Sequence, residues 1–137
     1  MATITTNRKM TEAEKKDIAE NYIKAITNRD AALLTSITTE DIVWRIPGVS
    51  LVSGEARGVD AILKRSETLN RFGGSIRIEH VVYGLDDVGL QHHNTGKHDG
   101  KVLDEHLTTV CDLRGRKINR LETFLSDVNM LNDFFSN

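Results

Sequence analysis

The sequence is short of cysteine, of excess positive charge and of long hydrophobic runs. Cys111 is the only cysteine, which excludes an internal disulfide bond and any zinc site built from several thiolates. A lone cysteine inside an apolar strand is usually a packing residue and not a nucleophile. We therefore interpret Cys111 as part of the core.

The charge balance argues against nucleic acid as a partner. The chain carries 18 Lys and Arg residues against 20 Asp and Glu residues, so no basic field exists to hold a phosphate backbone. No stretch approaches the roughly 20 apolar residues of a membrane span, and the opening MATITTNRKM lacks the apolar core of a signal peptide. We expect a cytoplasmic protein with neither a nucleic-acid nor a membrane partner.

The residues that are present suffice for one domain. A chain of 137 residues can bury about two-thirds of its unfolded surface around a single core, and it contains no internal repeat, low-complexity tract or linker. We expect a disordered tail over residues 1–10 and a single domain over residues 11–137.

Apolar periodicity predicts helices in the first half of the chain. Thr11 and Glu14 form a capping-box pattern for a helix over about residues 12–28, whose apolar face carries the hydroxyl of Tyr22. A short helix (AALLTSI) and a strand (TTEDIVWRI) follow, and Pro47 ends the strand. A third helix begins after SGEARG.

A period of two predicts strands in the second half. They cover about residues 75–84, 88–97, 102–113 and 117–126, with short turns between them, and a short amphipathic helix (DVNMLNDFF) follows. Helices followed by an antiparallel sheet are typical of an α+β fold with the helices on one face.

Strand pairing decides which histidines face the core. If Asp99 and Gly100 form a two-residue turn, every second residue on either side shares the apolar face. That face is expected to carry Val88, Leu90, His92, Asn94, Leu103, Glu105, Leu107, Thr109, Cys111, Leu113, Ile118, Arg120, Glu122 and Phe124. A three-residue turn at LDD would also bring His80 opposite His92.

The remaining histidines are expected away from the core. His93 and His106 oppose each other on the outer face, and His98 lies in the turn. Two ligands fall short of the three or four that a protein zinc site uses, so we expect no metal. We interpret the pair as an outer-face or dimer-interface feature.

His92 is the centre of the candidate site. A buried histidine satisfied by a hydrogen bond is one interpretation, and a residue that lines a cavity is the other. The cavity is favoured by the polar residues that share the apolar face, which are Asn94, Glu105, Thr109 and Glu122. Trp44 is either core or cavity wall, and Asp127 is either a catalytic group or the cap of the last helix.

Two segments, WRIPGVSLVSGEARGVDAI and GRKINRLETFLSDVNML, together with the order of the elements, resemble the SnoaL-like and ketosteroid-isomerase-like members of the NTF2-like superfamily. The resemblance spans residues from about 12 to 135. It implies a cone in which a curved antiparallel sheet wraps around the N-terminal helices and encloses a pocket, and it implies a homodimer. This fold hosts several enzyme classes and non-catalytic domains, so it does not fix the activity.

The resemblance keeps one catalytic position of the steroid isomerases and loses another. Tyr22 stands where those enzymes place their oxyanion-hole tyrosine, whereas Ile46 stands where they place the general-base aspartate. Their second donor, a protonated aspartate, falls at about Thr109 or Thr108. Steroid isomerisation by that mechanism is therefore rejected.

The expected function is that of an enzyme for a compact apolar carbonyl or aromatic compound, which catalyses cofactor-free proton transfer as an isomerase, cyclase or dehydratase. SnoaL-like cyclases pair an aspartate with a histidine, for which Asp127 and His92 are the nearest candidates. His92 would be the base, Tyr22 the donor to the oxyanion, and Asp127 or Glu122 the partner of the imidazole. The expected substrate-binding residues are Trp44, Phe72, His80, Thr109 and Glu122.

Two alternatives stay open. One is a non-catalytic module of the same fold that binds a ligand or dimerises. The other is water-activating chemistry of the epoxide-hydrolase type, which needs an arginine between two carboxylates and could draw only on Arg120, Glu122 and Glu105.

Overall fold

The structure, a computed structural model, describes residues 9–137. Most of the expected N-terminal tail, residues 1–8, lies outside the described residues. The elements are α1 (Glu12–Asn28), α2 (Ala31–Ile37), β1 (Thr38–Ile46), β2 (Gly54–Arg57), α3 (Val59–Arg71), β3 (Ser75–Tyr83), β4 (Asp87–His98), β5 (Lys101–Arg114), β6 (Lys117–Leu125) and α4 (Val128–Phe134). Among the described residues, no helix is long and apolar enough to cross a membrane.

Helix α1 begins at the capping box that the sequence predicts. The Thr11 side chain accepts a hydrogen bond from the Glu14 backbone, and the Glu14 carboxylate accepts one from the Thr11 backbone. The helix ends at Arg29, which adopts the left-handed conformation with a φ of 50°. Its buried face includes Ile18 and Tyr22, which pack against the sheet.

The six strands form one sheet in the order β2-β1-β6-β5-β4-β3. The strands β3 to β6 pair antiparallel, as expected, whereas β1 runs parallel to β6 at the centre, so the sheet is mixed. The connection between β1 and β6 contains α3 and four further strands, which is long enough for a parallel crossover. The short strand β2, which the sequence did not reveal, pairs with β1. With its four helices, the mixed sheet forms the predicted α+β cone.

The β4–β5 hairpin confirms the predicted register. His98 lies opposite Lys101, and the two turn residues, Asp99 and Gly100, have φ angles of 49° and 77°. Two successive positive φ angles mark a type I′ turn, which matches the twist of the flanking strands. His92 therefore faces the core, as predicted, and is 4% exposed.

Two β-bulges reverse the predicted facing elsewhere. In β6, Ile118 pairs with Leu113 but Arg120 pairs with Asp112, so Asn119 is an extra residue. In β3, Ile78 pairs with His92 and His80 pairs with Gln91, so Glu79 is extra. Beyond each bulge, the residues that point inward are those that strict alternation would send outward.

Candidate functional site

A small cavity of about 30 Å³ lies between α1 and the inner face of the sheet. Its apolar lining consists of Ile23, Ile26, Ile46, Val52, Leu69, Ile76, Leu107, Leu125, Leu131 and Phe135. Its polar groups come from Tyr22, Trp44, His92, Asn94, Thr109 and Thr123. An apolar cavity with a few convergent polar groups is the usual form of a small-molecule site.

A second cavity, of about 130 Å³, adjoins the first and shares part of its lining. The shared residues are Ile26, Leu69, Ile76, Asn94 and Phe135. The exposed residues Thr27, Asn70 and Ser75 border the second cavity, so this cavity reaches the protein surface. Drug-sized ligands occupy roughly 300–1,000 Å³, so a ligand here is compact or displaces side chains on entry.

Tyr22 presents the one orphan hydroxyl among the described residues that line the inner cavity. The side chain is 0% exposed, and its Oη has no hydrogen-bond partner. Its ring meets that of Trp44 edge to face, with centroids 5.7 Å apart, which fixes the ring in place. Burial raises the pKa of Tyr22 well above its usual value, so the group remains a neutral hydrogen-bond donor.

His92 is held by hydrogen bonds on both ring nitrogens. Nδ1 lies 2.7 Å from Asn94 Oδ1, and Nε2 lies 3.0 Å from Thr109 Oγ1. An amide oxygen only accepts, so the proton sits on Nδ1 and Nε2 accepts from the Thr109 hydroxyl. In this tautomer the lone pair of Nε2 is engaged by the Thr109 hydroxyl.

The Thr109 hydroxyl is in turn part of a chain that crosses four strands. The Trp44 indole N–H donates to Thr123 Oγ1 at 2.9 Å, and Thr123 Oγ1 lies 2.9 Å from Thr109 Oγ1. Because the indole can only donate, each hydroxyl passes its own proton onward, and the chain ends on His92 Nε2. The polar groups of the cavity therefore satisfy one another, except for Tyr22.

The protonation of His92 follows from its surroundings. Burial lowers its pKa from the usual 6.5, although the hydrogen bond to Asn94 and the charge of Glu79 act in the opposite direction. The imidazole is therefore neutral at pH 7 and can act as a base. No carboxylate lines the inner cavity among the residues that the structure describes.

A buried arginine, Arg65, contacts both the ring and the backbone carbonyl of Trp44. Arg65 is 8% exposed, and its guanidinium lies 5.0 Å from the centre of the Trp44 ring. It donates to the backbone carbonyls of Trp44 and Gly54, each at 3.0 Å. These bonds tie α3 to β1 and β2. Arg65 was not predicted as a site residue, because apolar periodicity identifies only the apolar members of a helix face.

Trp44 and Thr109 lie where the sequence placed them, in the wall of the cavity. Phe72 does not line either cavity, because its ring packs against Phe134 and Phe135 near the end of α4. Phe72 is therefore a core residue, and it supports the C-terminal end of α4 through its contacts with Phe134 and Phe135.

The predicted positions of His80 and Glu122 are wrong. The bulge at Glu79 puts His80 opposite Gln91 and leaves it exposed, so it does not face His92. The bulge at Asn119 sends Glu122 to the surface.

Glu122 is part of a surface ion-pair group. Its Oε1 lies 3.1 Å from Arg120 and 3.6 Å from Arg45. Arg120 and Phe124 likewise point outward, against prediction, whereas Glu105 points inward. The carboxylate, arginine and carboxylate group of an epoxide-hydrolase site therefore does not form.

Asp127 caps helix α4. Its Oδ1 accepts from the Met130 backbone at 3.0 Å, and its side chain is exposed and outside both cavities. The backbone N–H of Asp127 donates to Glu105 Oε2 at 2.8 Å. Glu105 is 1% exposed, and burial raises the pKa of its carboxyl, so it anchors the start of α4.

The sequence analysis missed Thr123, the link between Trp44 and Thr109. Strict alternation assigned it to the outer face, and only the extra residue in β6 turns it inward. Cys111 is buried as predicted, and burial raises its thiol pKa to about 12, which makes it inert.

Comparison with known proteins agrees with this architecture. Residues 19–121 match the SnoaL-like domain family. A protein of Mycobacterium tuberculosis whose function is not characterised is 26% identical over 131 residues, which cover 93% of this chain and all of that protein.

Solved structures share the fold at lower identity. An NTF2-like protein of Burkholderia xenovorans superposes with a TM-score of 0.80 at 20% identity, over 93% of this chain and 99% of that one. TerC, co-crystallised with polyporic acid, has a TM-score of 0.73 at 15% identity, over 88% of this chain and 98% of that one. At these identities the likeness shows the fold alone.

Proposed function

The chain belongs to the SnoaL-like domain family, and from that premise we propose that it is an enzyme that moves a proton on a compact, mostly apolar carbonyl compound without a cofactor. His92 is the base, and Tyr22 is the hydrogen-bond donor to the carbonyl oxygen. The reaction is of the isomerase, cyclase or dehydratase type.

One observation carries the proposal. A fully buried hydroxyl without a partner, that of Tyr22, lines the same small apolar cavity as the neutral imidazole of His92. Leaving a buried donor unpaired costs roughly 1–3 kcal/mol, so the orphan hydroxyl is expected to find an acceptor on a ligand. A donor and a base in one cavity are the two groups that enolisation requires.

The chemistry follows from the two positions. A bound carbonyl oxygen accepts from Tyr22, which stabilises the negative charge that develops when His92 Nε2 removes a proton from the adjacent carbon. The imidazolium that forms keeps its Nδ1–H on Asn94 and returns the proton to another atom of the compound. The Nε2 lone pair first has to release the Thr109 hydroxyl, so ligand binding must rearrange that hydrogen bond.

Small planar organic acids and ketones are the compounds to test first. The apolar residues of the cavity suit a ring or a short aliphatic frame, and the fold neighbour TerC was co-crystallised with polyporic acid. The total space is too small for a steroid unless side chains move.

The test is hydrogen–deuterium exchange at the α-carbon of a panel of small cyclic and aromatic ketones in D₂O, followed by NMR. This readout detects proton abstraction even when the natural product is unknown. The wild-type protein should accelerate exchange of at least one compound that also raises its melting temperature. His92→Gln should abolish the acceleration, and His80→Gln, a change at an exposed histidine, should keep it. Equal exchange by wild type and His92→Gln would refute the role of His92.

A non-catalytic binding module is the second candidate. It is favoured by the hydrogen bond from Thr109 to His92 Nε2, which engages the lone pair of the base, and by the lack of a carboxylate among the described cavity residues. Compounds that raise the melting temperature but exchange no proton would support this function instead.

Homodimerisation, which the family resemblance implies, stays a prediction. Sedimentation velocity of the purified protein checks it, and a species of twice the chain mass, 15.3 kDa per chain, is the expected result.

A further inference from the structure

A second group of titratable side chains lies on the outer face of the sheet, opposite the cavity. His93 and His106 are direct partners in the β4–β5 ladder, and their rings are nearly parallel with centroids 4.2 Å apart. Glu79 lies on the same face, two residues after Arg77, which is the partner of His93 in the β3–β4 ladder. Three strands therefore contribute one potential metal ligand each.

The contacts among these side chains are specific. Glu79 Oε1 accepts from His106 Nδ1 at 3.0 Å, and Asp104 Oδ1 accepts from His93 Nε2 at 2.5 Å. One ligand atom from each of Glu79, His93 and His106 lies within 4.8 Å of the others. The expectation of no metal rested on two ligands, and the structure provides a third.

The Arg77 guanidinium lies beside two members of this group. The Arg77 Nη2 lies 3.2 Å from His93 Nδ1 and 3.6 Å from Glu79 Oε2. His93 Nδ1 accepts this hydrogen bond, so the proton of that ring sits on Nε2 and is donated to Asp104. A metal ion that replaced Arg77 would take over the acceptor position at His93 Nδ1.

We propose that Glu79, His93 and His106 form a site for a divalent transition metal, with His93 binding through Nδ1 after Arg77 moves aside. Two imidazoles and a carboxylate suit Zn²⁺ or Co²⁺, and three protein ligands leave a position for water. Asp104 then holds the outer nitrogen of His93, which is the usual carboxylate support of a metal-binding histidine.

Binding requires a local rearrangement. Ligand atoms around a tetrahedral Zn²⁺ are about 3.4 Å apart, given metal–nitrogen distances of about 2.0–2.1 Å. The two rings must leave their parallel arrangement and converge, which rotation about exposed side-chain bonds permits. The His106 side chain is 65% exposed and that of Glu79 is 31% exposed. The bound ion would clamp β3, β4 and β5 together.

The experiment is calorimetric titration of the untagged full-length protein with Co²⁺ and Zn²⁺, with the visible spectrum of the Co²⁺ form as a second readout. One ion per chain and a cobalt spectrum of low coordination number are expected. His93→Gln and His106→Gln should each weaken binding by about tenfold or more.

The matched control is His80→Gln, which removes a neighbouring exposed histidine on β3 that is not part of the group. It should bind as the wild type does. Unaltered circular dichroism of the metal-free variants shows that a loss of binding is not a loss of fold. No saturable binding by the wild type, or an equal loss in His80→Gln, would overturn the proposal.

A substitution of Arg77 provides an independent test, because it should strengthen metal binding where the histidine substitutions weaken it. Arg77→Gln removes the cation that competes with the metal, and it should therefore tighten Co²⁺ binding. Weaker binding in this variant would contradict the proposed exchange of guanidinium for metal. None of these variants alters the cavity, so their results do not depend on the proposed enzyme activity.

Discussion

At the residue scale, the hydroxyl of Tyr22 is expected to affect both the stability of the protein and its activity. A donor that has no partner in the ligand-free protein lowers stability, and it gains its hydrogen bond only when a ligand is present. Such a cost is typical of functional sites, where stability and activity oppose each other.

Tyr22→Phe should therefore make the protein more stable and less active. Removal of the unpaired hydroxyl is expected to raise the free energy of unfolding by roughly 1–3 kcal/mol, since the ring and its contact with Trp44 remain. Loss of the oxyanion donor should lower the exchange rate of a bound ketone about 10²- to 10³-fold. Urea denaturation and NMR exchange measure the two effects, and a destabilised variant would show that the hydroxyl is already paired.

His92 should make stability depend on pH. Because its pKa is lowered in the folded protein, folding favours the neutral ring. Its contribution is complete above the ordinary histidine pKa of about 6.5 and is lost as the pH falls through the folded-state pKa. The urea midpoint of the wild type should therefore fall further between pH 8 and pH 5 than that of His92→Gln. Parallel pH curves would contradict this assignment.

At the element scale, the β-bulges decide which polar side chains reach the cavity. The sequence predicted the facing of β4 and β5 correctly because Asp99 and Gly100 specify a turn that sets the register. It failed for β6 and β3, because an extra residue leaves no mark in the alternation of apolar side chains.

Most of the site residues on regular elements were predictable from the sequence, whereas those beyond a bulge were not. His92 and Thr109 follow from the hairpin, and Tyr22 follows from the helical period. Thr123 lies beyond a bulge and was missed. Arg65 was also missed, because a long side chain can bury its stem on an apolar helix face while its head reaches distant carbonyls.

Deletion of Asn119 tests the role of the bulge in β6. Strict alternation would then turn Arg120 and Glu122 toward the core, where unpaired charges cost several kcal/mol, so the protein should fail to fold cooperatively. Asn119→Ser is the control, since it keeps the extra residue and should remain folded. Circular dichroism melting distinguishes the two, and a deletion variant as stable as the wild type would contradict the proposed role.

At the scale of the whole molecule, helix α4 closes the cavity. It and the residue after it contribute Leu131 and Phe135 to the lining. Two backbone N–H groups form hydrogen bonds that hold it in place. The Leu51 N–H donates to the Phe135 carbonyl at 2.9 Å, and the Asp127 N–H donates to the Glu105 carboxylate at 2.8 Å. Helix α4 and Phe135 therefore form one wall of the cavity.

Glu105→Ala should loosen this closure. Loss of the buried acceptor leaves the Asp127 N–H unpaired and is expected to cost roughly 1–3 kcal/mol of stability. The C-terminal segment should become more sensitive to limited proteolysis. Glu105→Gln keeps an oxygen acceptor and resembles the protonated carboxyl that burial favours, so it should stay close to the wild type. Equal sensitivity of the alanine and glutamine variants would argue against a role for this bond.

Tyr22 and His92 are proposed to form an acid–base site in an apolar cavity. The most direct test is the α-carbon exchange rate of the ketone that stabilises the protein most, measured at pH 7 for the wild type and His92→Gln. The variant should still bind the ketone but lose about 10²- to 10⁴-fold in exchange rate. An unchanged rate in a variant that binds equally well would contradict this proposal.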